Sequence, residues 1–426
     1  MNPSGKGWLN KYLEFRAGSF DNNFRGNFFN DLLKIPTDQF FYKNFQPTGL
    51  MYGYPLQVPD PMVAEMKQWS QKDKMKVIAA EGFIRSGIIY AEGDPEKILS
   101  SESEISYLLE GLSEFYRGVY HDIFRGPRWM SVKLFKNKLA LTEKMLTERM
   151  KPKSTSMWAG FFENSLLFLD VYYFGHWHAG TEKIISEENI RKENDKIRFA
   201  ILQIIAAAAN ADQSIEKEEK KIFNFFVQSA GLPPKLEKDA YLLLKAGHTI
   251  EKLDLPDIDH WIIRKYMLEL AILTTYSDKV MDEQEHQFLI RLAEKLGIPR
   301  EELEQSILAI ESFVVSNWSE VHFLQRKHSL HMVSNRFRKN VGQVISVNKD
   351  RIATEIRESK ELVYLLNKSR KTALTPEEKE KVRIQLIDIL KTIPTFVIIA
   401  LPFSFLTLPV LLSLLPKNAF PSAFQD

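Results

Sequence analysis

The chain of 426 residues contains no cysteine. That absence excludes disulfides, thiolate-bound zinc and cysteine nucleophiles. The first residues are not expected to act as a secretory signal. The opening MNPSGKGWLNKYLEFRAGSF is polar, is interrupted by Trp8, Tyr12 and Phe15, and has no continuous apolar stretch behind a basic one. The bulk of the chain is therefore expected in the cytoplasm. The phosphate loop GxxxxGK[ST], the dinucleotide fingerprint GxGxxG, the GxSxG elbow and the HExxH zinc helix do not occur. A conventional soluble enzyme is thus not expected, and no organic cofactor is implied. An excess of one charge sign is lacking too. Lys and Arg number 57 against 55 Asp and Glu, a net charge of +2, so the chain as a whole is no polycation and no DNA partner is expected.

What is present reads as an all-α protein in three regions: a multi-helix N-terminal domain over 1–190, a helical bundle over 191–320 and a C-terminal region over 321–426. Ser101 followed by Glu104 is a capping-box pair, and Ile105, Leu108, Leu109, Leu112, Phe115 and Tyr116 recur at helical spacing. Met157–Trp177 is very apolar yet carries Glu163 and Asp170. Because charge at a bilayer centre is costly, it is read as a core helix with its carboxylates at a wet edge, with a membrane segment as the alternative. His176 and His178 are alternate residues and cannot share a helical face, so no joint metal site is expected of them. The charged stretch Ala179–Lys196 reads as a linker.

An internal repeat runs through residues 197–320. Asp212 and Asp278 stand 66 residues apart, as do Glu219 and Glu285, Gly231 and Gly297, and Pro233 and Pro299. Each copy predicts a helix, an acidic turn, and a second helix closed by Gly with Pro two residues on. Gly accepts the left-handed conformation that ends a helix, and Pro cannot continue one. The carboxylates Asp212, Glu219, Asp278 and Glu285 are candidate ligands for a divalent cation, since hard cations take oxygen donors. Acidic residues at helix starts also serve as ordinary caps, and neither turn has the twelve-residue calcium-loop pattern.

The C-terminal region is basic before it is apolar. From Glu320 to Thr392 there are 16 Lys and Arg against 9 Asp and Glu. Within it Arg336, Arg338, Lys339, Lys349 and Arg351 are candidate lipid- or anion-binding residues. A helix starts at Thr375 as N-cap, with Pro376 first and Glu378 closing a capping box, and is expected to run on into the apolar stretch. Thr392–Pro416 holds no charge in 25 residues. As one helix it would span about 37 Å, more than a hydrocarbon core of roughly 30 Å. A buried hairpin is the alternative, given Pro394, Pro402 and Pro409. The expectation is an inner-membrane segment over 392–416 with the basic side in the cytoplasm.

Two resemblances cover these features. The acidic repeat with its Gly-x-Pro stop, SDKVMDEQEHQFLIRLAEKLGIP in the second copy, resembles the TerB-like tellurite-resistance family over roughly residues 197–315. Gln213 and Lys279 stand where that family usually has glycine. Leu374–Phe424 is similar to the LETM family of leucine-zipper, EF-hand-containing transmembrane proteins. With the MNPSGKGW opening, the chain resembles its bacterial, biofilm-associated group. Phe405 stands where mitochondrial members carry an acid in the apolar run. The apolar tail, the basic flank and the missing catalytic motifs lead to the expectation of a membrane-anchored helical scaffold, and the biofilm-associated group adds envelope or biofilm processes as its setting. With the acidic turns and the basic charge, the resemblances imply a cation-handling alternative and a ribosome-associated one. Membrane, ribosome or an envelope protein, and a second copy of the chain are the implied partners.

Overall fold

The computed structural model describes residues 2–19, 34–55, 66, 68–91, 102–120, 138–151, 157–180, 186–210, 217–275, 283–318, 330–393, 395–396 and 406–415. Among them every regular element is a helix, as the all-α reading expects. The Ser101 cap lies outside the described residues. The chain divides into two compact units, residues 1–271 and 272–426.

The first unit comprises α1 (Trp8–Ser19), α2 (Thr37–Phe45), two single 3-10 turns (Gln46–Thr48 and Leu50–Tyr52), α3 (Gln71–Ile89), α4 (Glu102–Val119), α5 (Lys138–Arg149), α6 (Met157–Ser165), α7 (Leu167–Ala179), α8 (Glu187–Ala209), α9 (Lys217–Ala230), α10 (Pro234–Leu243) and most of α11 (Trp261–Thr275). Its centre is the packing of α3 on α7. Gly175 permits their close approach. A Cβ there would stand 2.2 Å from Ser86 Oγ and 2.8 Å from its carbonyl oxygen. The Ser86 hydroxyl instead donates to Val171 O at 2.6 Å. Phe41, Phe45, Phe168 and Tyr172 pack around this seam, edge to face and stacked.

Two readings need correction here. Met157–Trp177 is α6 and α7 with a break at Leu166, and its carboxylates are not at a wet edge. Asp170 is 0% exposed and Glu163 2%. Asp170 tolerates burial because Arg149 from α5 meets it at 2.8 Å, and Tyr116 of α4 and Tyr120 just past its end donate to it. The proposed linker is mostly helix. Ser186 caps α8 by accepting from Asn189 N, and Ile190, Ile197, Ile201 and Ile204 form one buried stripe beneath the charges.

The repeat is visible in the element boundaries. Ala209 and Thr275 end helices 66 residues apart. Lys217 and Glu283, and likewise Pro234 and Arg300, begin helices at that same spacing. Gly231 and Gly297 both have φ of 62°, and Pro233 and Pro299 are N-caps with nearly equal backbone angles. Gly and Pro therefore stop and restart the chain as the spacing predicts.

The second unit holds α12 (Glu283–Lys295), α13 (Arg300–Ser316), α14 (Leu330–Val347), α15 (Lys349–Glu358), α16 (Lys360–Lys371), α17 (Pro376–Leu390) and α18 (Leu408–Leu414). The capping box of α17 forms as expected. Glu378 N donates to the Thr375 hydroxyl at 3.2 Å and Thr375 N to Glu378 Oε2 at 3.0 Å. Thr375→Ala is expected to cost about 1 kcal/mol, read as a lower urea midpoint at unchanged slope.

The expected run of that helix into the apolar stretch does not occur. α17 ends at Leu390, with Lys391 as C-cap. Pro394 lies just beyond, and the residue before a proline disfavours helix. Nor is Thr392–Pro416 one continuous helix. Leu406 and Thr407 are non-helical, and the seven-residue α18 starts afresh with Pro409 in its first turn. It packs on α14 and α17 and buries Leu411. Among the described residues no helix is long and apolar enough to cross a membrane. Pro394, residues 397–405 and Pro416 lie outside those residues.

Candidate functional site

Two of the four candidate cation ligands fall among the described residues. Asp212 and Asp278 lie outside them. Glu219 sits in the first turn of α9, and Glu285 is half-buried in the first turn of α12. Among the described residues no group of three or more His, Asp or Glu is placed to hold a metal ion.

The basic candidates fall on one region of the second unit. Arg336, Arg338 and Lys339 are on α14, and Lys349 and Arg351 on α15. All but Arg336 are exposed. Arg336 is held inward: its Nε lies 3.1 Å from Oε1 of Glu311, a carboxylate on α13 with 0% exposure. Asn340 Nδ2 donates to the other Glu311 oxygen at 2.7 Å. Asn340 follows Arg336 by one helical turn, so one buried carboxylate fixes both side chains on the same face.

That face borders a cleft of about 690 Å³, within the size range of ligand pockets. Its wall on α14 includes Arg336, Lys339, Asn340 and Gln343. The wall on α12 and α13 includes Glu283, Glu301 and Glu304, with His286. Ile307, Leu308, Val344 and Val347 add apolar surface, and Thr395, at the start of the uncharged run, also lines the cleft. The cleft thus joins a basic wall, an acidic wall and the apolar run. The sequence pointed to Arg336 and Lys339 but not to Glu301 and Glu304. Their charge is ordinary for the first turns of a helix, and only the packing of α13 on α14 makes them part of a site.

The first unit carries buried ionic clusters of a different kind. Glu81 on α3 receives Arg16 Nε at 2.8 Å, Arg85 Nε at 3.0 Å and the Tyr12 hydroxyl. Burial pushes its carboxyl up, and the two guanidinium charges and the donated hydrogen bonds outweigh that, leaving its pKa at about 2. Glu269 on α11 accepts from Tyr42 at 2.5 Å and Tyr52 at 2.8 Å. Burial, then the Glu269 charge, pushes both phenols well above their usual value. Each carboxylate is buried and gathers donors from separate elements, so these clusters tie the core together. His176 and His178 both lie in α7, as their spacing required for separate faces. His176 is buried against Tyr90 and Tyr172, and burial, then nearby His260, lowers its pKa to about 4. It is a neutral core imidazole at neutral pH.

No family model matches this chain, and no curated protein or solved structure matches it. The geometry therefore stands by itself.

Proposed function

We propose that this protein is a non-enzymatic helical scaffold attached to the cytoplasmic side of an inner membrane through its C-terminal unit. The observation that carries this reading is the grouping of exposed Arg338, Lys339, Lys349 and Arg351 in the same unit as the uncharged run Thr392–Pro416. Val347, the last residue of α14, is 85% exposed. Cations beside exposed apolar side chains suit an anionic lipid surface, where each basic residue near the headgroups contributes about 1 kcal/mol. Envelope or biofilm processes are the setting implied by the LETM-like C-terminal segment.

The test is membrane fractionation with alkaline extraction of the full chain, of a truncation after Lys391, and of the full chain with Arg338, Lys339, Lys349 and Arg351 changed to glutamate. The full chain is expected to resist extraction, and the truncation to become soluble. The charge-reversed chain should float with anionic vesicles at least tenfold less, with a difference that shrinks as salt rises. A full chain that extracts like the truncation would overturn the anchor.

A further inference from the structure

We infer that the cleft between α12–α13 and α14 binds a zwitterionic group that joins a primary ammonium to a phosphate, as in an ethanolamine phospholipid headgroup. The inference rests on the membrane reading above and names the headgroup chemistry that the unit would select. An anionic site alone would need one basic wall, and an ammonium site one acidic wall. This cleft has both. Lys339 and the Arg336 guanidinium stand on the α14 side, and Glu301 and Glu304 on the α13 side.

The basic wall is built rather than incidental. Glu311 is wholly buried beneath it and holds Arg336 by its Nε, which fixes the guanidinium before any ligand arrives. Glu311 also offsets most of the Arg336 charge, so the wall keeps about one net positive charge, on Lys339, plus amide donors. That balance suits a phosphodiester with a single negative charge better than a phosphate monoester with two. The carboxylates opposite accept the N–H donors of a primary ammonium, which a quaternary one lacks. The apolar side chains of the cleft and the nearby start of the uncharged run give the attached glycerol and acyl chains a place to leave. The same headgroup chemistry also occurs in soluble glycerophosphoethanolamine, and the experiment separates the two sources.

The full chain would be titrated with sn-glycero-3-phosphoethanolamine, with glycerol 3-phosphate and with ethanolamine, each followed by calorimetry. The zwitterion is expected to bind at least tenfold more tightly than either half-probe. Lys339→Glu and Glu304→Lys should each weaken it about tenfold. The combined exchange should restore binding to within about threefold, because the two poles are then swapped rather than lost. Both positions are exposed, and an unchanged urea midpoint will show that the variants are folded. Vesicles of phosphatidylcholine with and without phosphatidylethanolamine give the second arm. Enrichment on the ethanolamine lipid, lost in the single variants, supports the lipid source. Binding of the soluble probe without vesicle enrichment assigns the site to the soluble form. Equal affinity for glycerol 3-phosphate and the zwitterion, or single reversals without effect, would overturn the inference. Alkaline extraction is unaffected by that result, so failure of the cleft and failure of the membrane anchor are distinguishable.

Discussion

Asp170→Ala is expected to destabilise the first unit by about 3–5 kcal/mol, enough to leave a domain of ordinary stability largely unfolded on warming. The reason is what the change leaves behind. Arg149 is itself buried and meets Asp170 at 2.8 Å. Without the carboxylate, a guanidinium remains in the core with no countercharge, and the hydroxyls of Tyr116 and Tyr120 lose their acceptor. Arg198, which also lies over the Tyr120 ring at 5.6 Å, has its own partner in Asp195 at 3.4 Å and so does not take over the role of Asp170. The pair taken together is worth less than either partner alone, because both ions were taken out of water to form it. Asp170→Leu combined with Arg149→Met should therefore be more stable than Asp170→Ala by 1 kcal/mol or more, about the size of coupling between contacting residues. Urea unfolding of the three chains checks this. Equal stability of single and double variants would show that the pair contributes little beyond packing.

Glu81 yields the second large effect, through pH. Its carboxyl titrates at about 2 in the folded protein and near 4.5 in an unfolded chain. A depressed pKa contributes stability that is full above the unfolded value and is lost as pH falls through the folded one. The difference corresponds to roughly 3 kcal/mol, removed between about pH 4.5 and pH 2. At neutral pH Glu81→Gln should cost at least as much, since Arg16 and Arg85 lose their shared counterion. The gap in stability between native and Glu81→Gln chains should narrow steadily as pH is lowered from 4.5 to 2. A gap that stays constant over that window would contradict the assignment. Chemical denaturation at a series of pH values measures it directly.

The residues that sequence reasoning read well are those whose partners are near in the chain. The Thr375–Glu378 box closes within one turn, and Gly231 and Gly297 need only their own backbone angles to end a helix. Asp170 was misplaced for the opposite reason. Its partners Arg149, Tyr116 and Tyr120 come from two other stretches of the chain, and no local pattern announces that they converge. Between Ala179 and Lys196 the charges drew more notice than the single buried stripe under them, of which Ile190 and Ile197 are the first members. In the cleft, α14's basic residues were legible because they cluster in sequence. The acidic wall was not, because it reaches them only when α13 packs against α14. The residues proposed as cation ligands depended on turns, and the two aspartates in those turns lie outside the described structure.

The Glu269 cluster also sets a timetable for synthesis. Tyr42 and Tyr52 lie 227 and 217 residues upstream of the carboxylate that accepts their hydroxyls. At roughly 5–20 residues per second, the ribosome needs some ten to forty seconds to travel that distance. Throughout that interval these two phenols must remain hydrated or shielded by other protein, because burying an unpaired hydroxyl is costly. The first unit thus completes its core only after most of its length has been made, which places its folding late in translation.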